Sequence, residues 1–346
     1  MQHFRLSFIV TAACLVAAFF WGGLVKGMFI ALILGVLEVS LSFDNAVVNA
    51  SILKRMDERW QQYFLTYGIL VAVFGMRLIF PIAIVAVATG IDLFGVANMA
   101  LHDPKTYAEH LENAHVQIAA FGGMFLLMVF FSFIFNDEKE LHWLGYFEEK
   151  LSDFGKLESI EVILSLGLLL VINHWLPEAQ RLDVLMAGVG GVMLYVVVGS
   201  MAALFEDEEE GEKVTDAIKR GSMMSFLYLE VLDASFSFDG VIGAFAITQD
   251  VVIIMLGLAI GAMFVRSLTV YLVRQGTLDE YVFLEHGAHY AIGTLAAIML
   301  ISMMYHIPEV VTGLVGAILI GLSVYSSILY KREVQAKHTN PFKSVD

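Results

Sequence analysis

The chain has 346 residues, of which 58% are hydrophobic and only 16% charged, against about 25% charged in a soluble domain. A mean hydropathy of +0.76, with 26 Phe and 17 Met, exceeds what a water-soluble surface can hide. The net charge of −15 therefore belongs to loops, and it offers no basic face to nucleic acid.

A membrane span takes about 20 apolar residues to cross roughly 30 Å of hydrocarbon. About ten runs approach this, at 6–25, 28–53, 62–88, 115–135, 159–176, 183–205, 222–248, 250–274, 285–306 and 308–330. The expected fold is an all-α polytopic membrane protein with about ten transmembrane helices. The first run follows Arg5 and is short enough for a signal peptide. No small-residue cleavage site stands before Gly27, so it reads as a span. It carries Cys14, and a single cysteine excludes a disulfide framework.

With a cytoplasmic N-terminus and alternating helices, fifteen Lys and Arg fall in cytoplasmic segments and three, Lys26, Lys105 and Arg181, in outer ones. That is the asymmetry the positive-inside rule demands. Arg77 and Arg266 stay inside spans. The run 206–212, six acids in seven residues, reads as a solvated connector between two halves.

Span two contains Glu38-Val-Ser-Leu-Ser-Phe-Asp44-Asn45, and span seven Asp233-Ala-Ser-Phe-Ser-Phe-Asp239-Gly240. Acid aligns with acid at both ends, and Ser40, Ser42 and Phe43 align with Ser235, Ser237 and Phe238. Arg77 and Arg266 follow one span later. His115 and His289 stand at the expected starts of spans four and nine. An offset of five spans makes the two copies antiparallel, which describes a 5+5 inverted-topology repeat of the kind transporters use. The chain divides accordingly into an N-terminal helix at 1–26, a first repeat core at 27–176 and helix six with the acidic connector at 177–221. A second repeat core at 222–330 and a basic cytoplasmic tail at 331–346 complete it.

A carboxylate in hydrocarbon costs about 3 kcal/mol or more, so it faces a cavity, a partner or an ion. Glu38, Ser42, Asn45 and Asn49 share one helix face, as do Glu230, Asp233 and Ser237. Asp44 lies about 120° off the first face in a regular helix, and Asp239 is displaced likewise. Either these acids point to different neighbours, or each helix unwinds at Ser-Phe-Asp-Asn and Ser-Phe-Asp-Gly. Oxygen-rich sites suit Mg²⁺, Ca²⁺ or Mn²⁺, and imidazole from His115 or His289 would shift preference toward Mn²⁺ and later metals. A lone histidine at a helix start is more often a cap or a satisfied polar group. Converging acids take up a cation or protons, the chemistry of a proton-coupled antiporter. A purely structural reading pairs the acids with Arg77 and Arg266, yet two arginines cannot neutralise Glu38, Asp44, Glu230, Asp233 and Asp239. No His-Glu-x-x-His or other hydrolase arrangement is present, and no enzymatic activity is expected.

The paired acidic segments resemble the two signature helices of the TerC family of integral membrane proteins, named for tellurium resistance. The similarity covers roughly residues 27–330 and is greatest to the longer bacterial branch, known as a domain of unknown function. It implies a transporter-like fold within the wider group of lysine-exporter-like proteins, and Mn²⁺ export or metal homeostasis. Its metal-handling residues would be Glu38, Asp44, Asn45, Asp233 and Asp239. Gly240 departs from the pattern, standing where the first copy has Asn45. A long loop at 89–114 and the first span exceed a minimal family core.

The expected function is export of a divalent cation, Mn²⁺ foremost, across the bacterial inner membrane in exchange for protons, with both termini cytoplasmic and no resident cofactor. Ser42, Ser237 and Glu230 would support the site. Arg77 and Arg266 would set carboxylate protonation or hold the empty state. The alternative is a membrane-embedded partner or scaffold in a metal- or tellurite-stress response, its acids purely structural.

Overall fold

The computed structural model describes residues 4–54, 56–137, 139, 141–206, 214–305 and 307–339. The acidic connector 207–213, the end of the basic tail and the side chain of Asp239 lie outside the described residues.

Among the described residues the chain is all helical, with no strand. In order it forms α1 (Arg5–Trp21), α2 (Val25–Leu41), α3 (Phe43–Leu53), α4 (Glu58–Leu70), a π-helical stretch (Val71–Ile79) and α5 (Phe80–Thr89). There follow α6 (Leu93–His102), α7 (Pro104–Ile134), α8 (Tyr146–Asp153), α9 (Ile160–Trp175) and α10 (Glu178–Glu206). The last are α11 (Val214–Ile247), α12 (Val251–Arg274), α13 (Thr277–Glu280), α14 (Leu284–Ser302) and α15 (Glu309–Thr339).

Among the described residues four helices, in α7, α10, α12 and α15, are long and apolar enough to cross a membrane. The count rises to six if the bent pairs α2–α3 and α4–α5, with bends of 54° and 48°, each form one span. The first and fifth apolar runs form α1 and α9, of 17 and 16 residues, short of the usual crossing length. The segment 89–114 is not a loop: it folds into α6 and the beginning of α7. His115 accordingly lies well inside α7 rather than at a helix start.

Local chemistry fixes these elements. At the start of α7 the Asp103 carboxylate accepts from Thr106 N–H at 3.4 Å, and Pro104 presets the first helical φ. Asp250 caps α12 by accepting from Val252 and Ile253 N–H at 3.0 and 3.2 Å. Helix α5 stops at Gly90, whose φ of +73° closes a left-handed C-cap. From Ile118 onward α7 is apolar nearly all round, with Ala119, Met124, Phe125 and Met128 buried, the pattern of a helix enclosed by others. It packs against α10, α14, α5 and α9, while α12 packs against α1, α2 and α3. Small residues let α2 and α12 approach closely: a Cβ on Gly257 would meet Leu34 Cβ at 2.5 Å. The outer surface is apolar, with Val87 and Phe94 87% and 89% exposed, as befits helices bathed in lipid.

One connector is tied to the bundle by charge. Glu148 of α8 is fully buried. Lys139 Nζ donates to its Oε1 at 2.5 Å, Leu144 N–H donates to its Oε2 at 3.1 Å, and His286 Nε2 of α14 lies 3.4 Å away. Burial raises the affinity of this carboxyl for a proton, but the Lys139 and Leu144 bonds outweigh it and hold the group below its ordinary value of 4.5. A depressed carboxyl stabilises the fold above its unfolded value and loses that contribution as pH falls through the folded one. The melting temperature of the detergent-solubilised protein is therefore expected to drop as pH falls below about 4.5. Glu148→Gln should lower it at neutral pH and flatten that acid limb.

Candidate functional site

The site begins with a break. Helix α2 ends at Ser42, whose φ of −106° and ψ of 19° depart from the helix, and α3 leaves at 54°. No proline forces the bend. The Ser42 hydroxyl donates to Glu38 Oε1 at 3.2 Å, bridging the last turn of α2. Asp44 falls in the first turn of α3, where Asn45 N–H donates to Oδ1 at 3.1 Å, a favourable place for a carboxylate. The equivalent segment does not break: α11 runs unbroken from Val214 to Ile247. There the Ser235 hydroxyl turns back to Val231 O at 3.0 Å, keeping within its own helix. Of the two alternatives, unwinding describes the first copy and a continuous helix the second.

Each acidic helix is paired with the arginine one apolar run later. Arg77, on the π-helical stretch, contacts Glu38 Oε1 directly through Nη2. Such stretches re-aim side chains and recur at functional positions. Arg266, on α12, lies 3.5 Å from both Glu230 Oε1 and Asp233 Oδ2. Asn49 of α3 joins the two copies, its Nδ2 donating to Asp233 Oδ1 at 2.7 Å.

Between the pairs lies a cavity of about 20 Å³, walled by Ser42, Asn45, Asn49, Arg77, Asp233, Ser237, Ala262, Val265, Arg266 and Thr269. That is room for one water-sized body. Three buried oxygens on or beside this wall have no hydrogen-bond partner: Asn49 Oδ1, Ser237 Oγ and Glu230 Oε2. Buried polar atoms are normally satisfied, so their gathering at one cavity marks a place for a small polar occupant, a water or a cation. Among the described residues no three His, Cys, Asp or Glu side chains come together closely enough to hold a metal ion. Any cation here would take a mixed set of carboxylate, amide and hydroxyl oxygens, which suits hard divalent ions. With every group ionised, Glu38, Glu230 and Asp233 outnumber Arg77 and Arg266 by three to two.

Of the residues expected from sequence, Ser42, Asn45, Arg77, Asp233, Ser237 and Arg266 share the wall, with Glu38 and Glu230 joined to the arginines. Asp44 is buried but stands off that wall, against Gly316 of α15. Asp239 keeps its place in α11, and its side chain lies outside the described residues. His115 is half-buried in α7 and does not line the cavity. His289 is not directed there either. Its ring stacks on Phe133 with centroids 4.0 Å apart, and its Nδ1 pairs with Glu285 O at 2.9 Å.

Two glycines shape the site: Gly240, which the sequence marks only as a departure from Asn45, and Gly261, which it does not mark at all. A Cβ on Gly240 would come within 2.7 Å of Glu38 Oε2, and one on Gly261 would strike the Glu38 side chain. These two positions leave the space that Glu38 fills. The signal for Gly240 was its departure from Asn45 in an otherwise matching repeat. Thr269 shares the helix face of Arg266, three residues on, and could have been read from that spacing.

No curated protein and no solved structure matches the chain. One family profile, described as "Protein of unknown function (DUF475)", matches residues 43–334. The match opens at the first residue of α3 and takes in Arg77, Asp233 and Arg266, leaving Glu38 just outside. It spans most of the sequence, and the chain belongs to the DUF475 family.

Proposed function

We propose that this chain is a divalent-cation exporter, with Mn²⁺ its foremost substrate, working by exchange with protons across the bacterial inner membrane. The observation that supports this reading is the cavity where the partnerless oxygens of Asn49 and Ser237 stand beside the Asp233 carboxylate, with Glu38 and Glu230 behind the two arginines. With Glu38, Glu230 and Asp233 all ionised, the two arginines leave one negative charge for a cation to balance. The space admits one dehydrated ion or one water and no organic solute. Asp233, Asn45, Asn49, Ser42 and Ser237 would supply the first oxygens, and Glu38 and Glu230 would follow as the arginines yield. Asp44 and Asp239 complete the proposed acidic set. In the empty state Arg77 and Arg266 serve as tethered cations. An arriving ion takes over part of their role, and on its release the carboxylates return to arginine or take up protons.

The proposed architecture is ten spans in a 5+5 inverted repeat with both termini cytoplasmic, a plan resembling the TerC family. Matching pairings support it. Helix α1 packs on α2 as α10 packs on α11, and α7 on α9 as α14 on α15. Glu38–Arg77 in one half has its counterpart in Asp233–Arg266 in the other. One observation favours the scaffold alternative: Glu38 already holds a direct arginine partner, as a structural acid would.

Transport separates the two. Reconstituted protein is expected to carry Mn²⁺ into vesicles holding a metal-sensitive dye, and Asp233→Asn should slow uptake about tenfold or more, the loss of one strong oxygen ligand. Equal uptake in Asp233→Asn, Asp44→Asn, Asp239→Asn and native protein would mark the acids as structural.

Labelling of single cysteines in a Cys14→Ala background tests the topology. Cysteines at Lys54, Lys156 and Arg274 should react from the cytoplasmic side, and those at Lys26, Lys105 and Arg181 from the outer side. Lys54 and Lys105 reacting from one side would rule the arrangement out.

A further inference from the structure

Arg77 and Arg266 stand at matching places in the two halves but are held differently. Arg77 touches its carboxylate directly. Arg266 keeps 3.5 Å from both of its carboxylates, beyond the roughly 2.7–2.9 Å of a charge-assisted N–H···O bond. Its other contacts lie across the site on α4. Nε donates to Phe64 O at 3.2 Å, and Cζ sits 3.8 Å from the centre of the Phe64 ring. Phe64 is fully buried, where attraction between a cation and a ring face is strongest. Gly68, one turn along α4, leaves the space that Nη2 fills. A Cβ there would overlap Nη2 and come within 2.9 Å of Glu230 Oε1.

We infer that Phe64 and Gly68 form a perch that holds the Arg266 guanidinium back from Asp233 and Glu230, leaving those two carboxylates open to a cation. This role rests on the cation-transport reading above. Without the perch, the guanidinium would close to hydrogen-bond distance and compete as a tethered ion. The two halves then differ in order: the second half meets the ion with its carboxylate first, at Asp233, and Glu38 joins once Arg77 yields. Phe64 is a positioning residue, acting on the carboxylates through Arg266.

Fluorinated phenylalanines at position 64 test the perch, because they weaken the negative ring face stepwise with little change of shape. Mn²⁺ binding to the full-length protein in detergent is expected to weaken with each fluorine, by about tenfold across mono-, di- and trifluoro variants. The melting temperature of the metal-free protein should barely move. Gly68→Ala favours the helix intrinsically, yet it should weaken Mn²⁺ binding in the same direction by pushing the guanidinium off the ring. Affinity that stays flat or tightens across the fluorine series would overturn the inference.

A second readout needs no metal. In arginine-labelled protein the NMR signals of Arg266, assigned by their loss in Arg266→Lys, should carry a ring-current shift that vanishes in Phe64→Leu. Absence of that shift would overturn the perch itself. The shift together with no Mn²⁺ binding by the native chain would instead overturn the cation reading on which the perch's role depends.

Discussion

Charge buried among apolar helices must find opposite charge, and the centre of this molecule is arranged around that demand. An unpaired carboxylate or guanidinium in such surroundings is far costlier than any single packing contact. Glu38 meets Arg77, and Arg266 stands between Glu230 and Asp233. The backbone serves these meetings. The bend at Ser42 separates Asp44 from Glu38, the π-helical stretch presents Arg77, and Gly240, Gly261 and Gly68 vacate the space that Glu38 and Arg266 occupy. A bundle held by apolar packing alone would need none of them.

The pairing is incomplete in a telling way. Asn49 spends its amide N–H on Asp233 and leaves its oxygen without a donor, as do Ser237 and Glu230 beside it. Asp233 and the two guanidiniums line a space the size of one water, and Glu38 and Glu230 hold the arginines from behind. A structural ion-pair network would be expected to close on itself, since a half-satisfied network is worse than an apolar core. This one is left open toward a small polar occupant, a water or a cation.

The sequence makes some of this legible and hides the rest for physical reasons. Helicity, the apolar runs and the pairing of acids with Arg77 and Arg266 follow from composition and from a repeat readable by eye. The bend at Ser42 was foreseeable from the displacement of Asp44 relative to Glu38, but the same pattern in α11 stayed straight, because tertiary packing decides whether a strained turn opens. His115 and His289 entered as supporting residues only through their order in the repeat. Position in α7 and stacking on Phe133 depend on neighbours distant in sequence, which order does not encode. Gly68 and Phe64 carried no motif at all. Their significance comes from the side chain that crosses to them from α12, 202 residues away. The Glu148 tie to Lys139 and His286 was likewise invisible, since an acid in a polar connector gives no sign of being buried.

The central claim is that the arginines stand in for a cation that the carboxylates are built to take. Calorimetric titration of the purified protein with Mn²⁺, set beside Arg266→Gln, tests it most directly. About one bound ion per chain is expected, and tighter binding in Arg266→Gln, where the positive charge 3.5 Å from Asp233 and Glu230 is gone. No binding in the native protein, or binding that Arg266→Gln leaves unchanged or weakens, would contradict it.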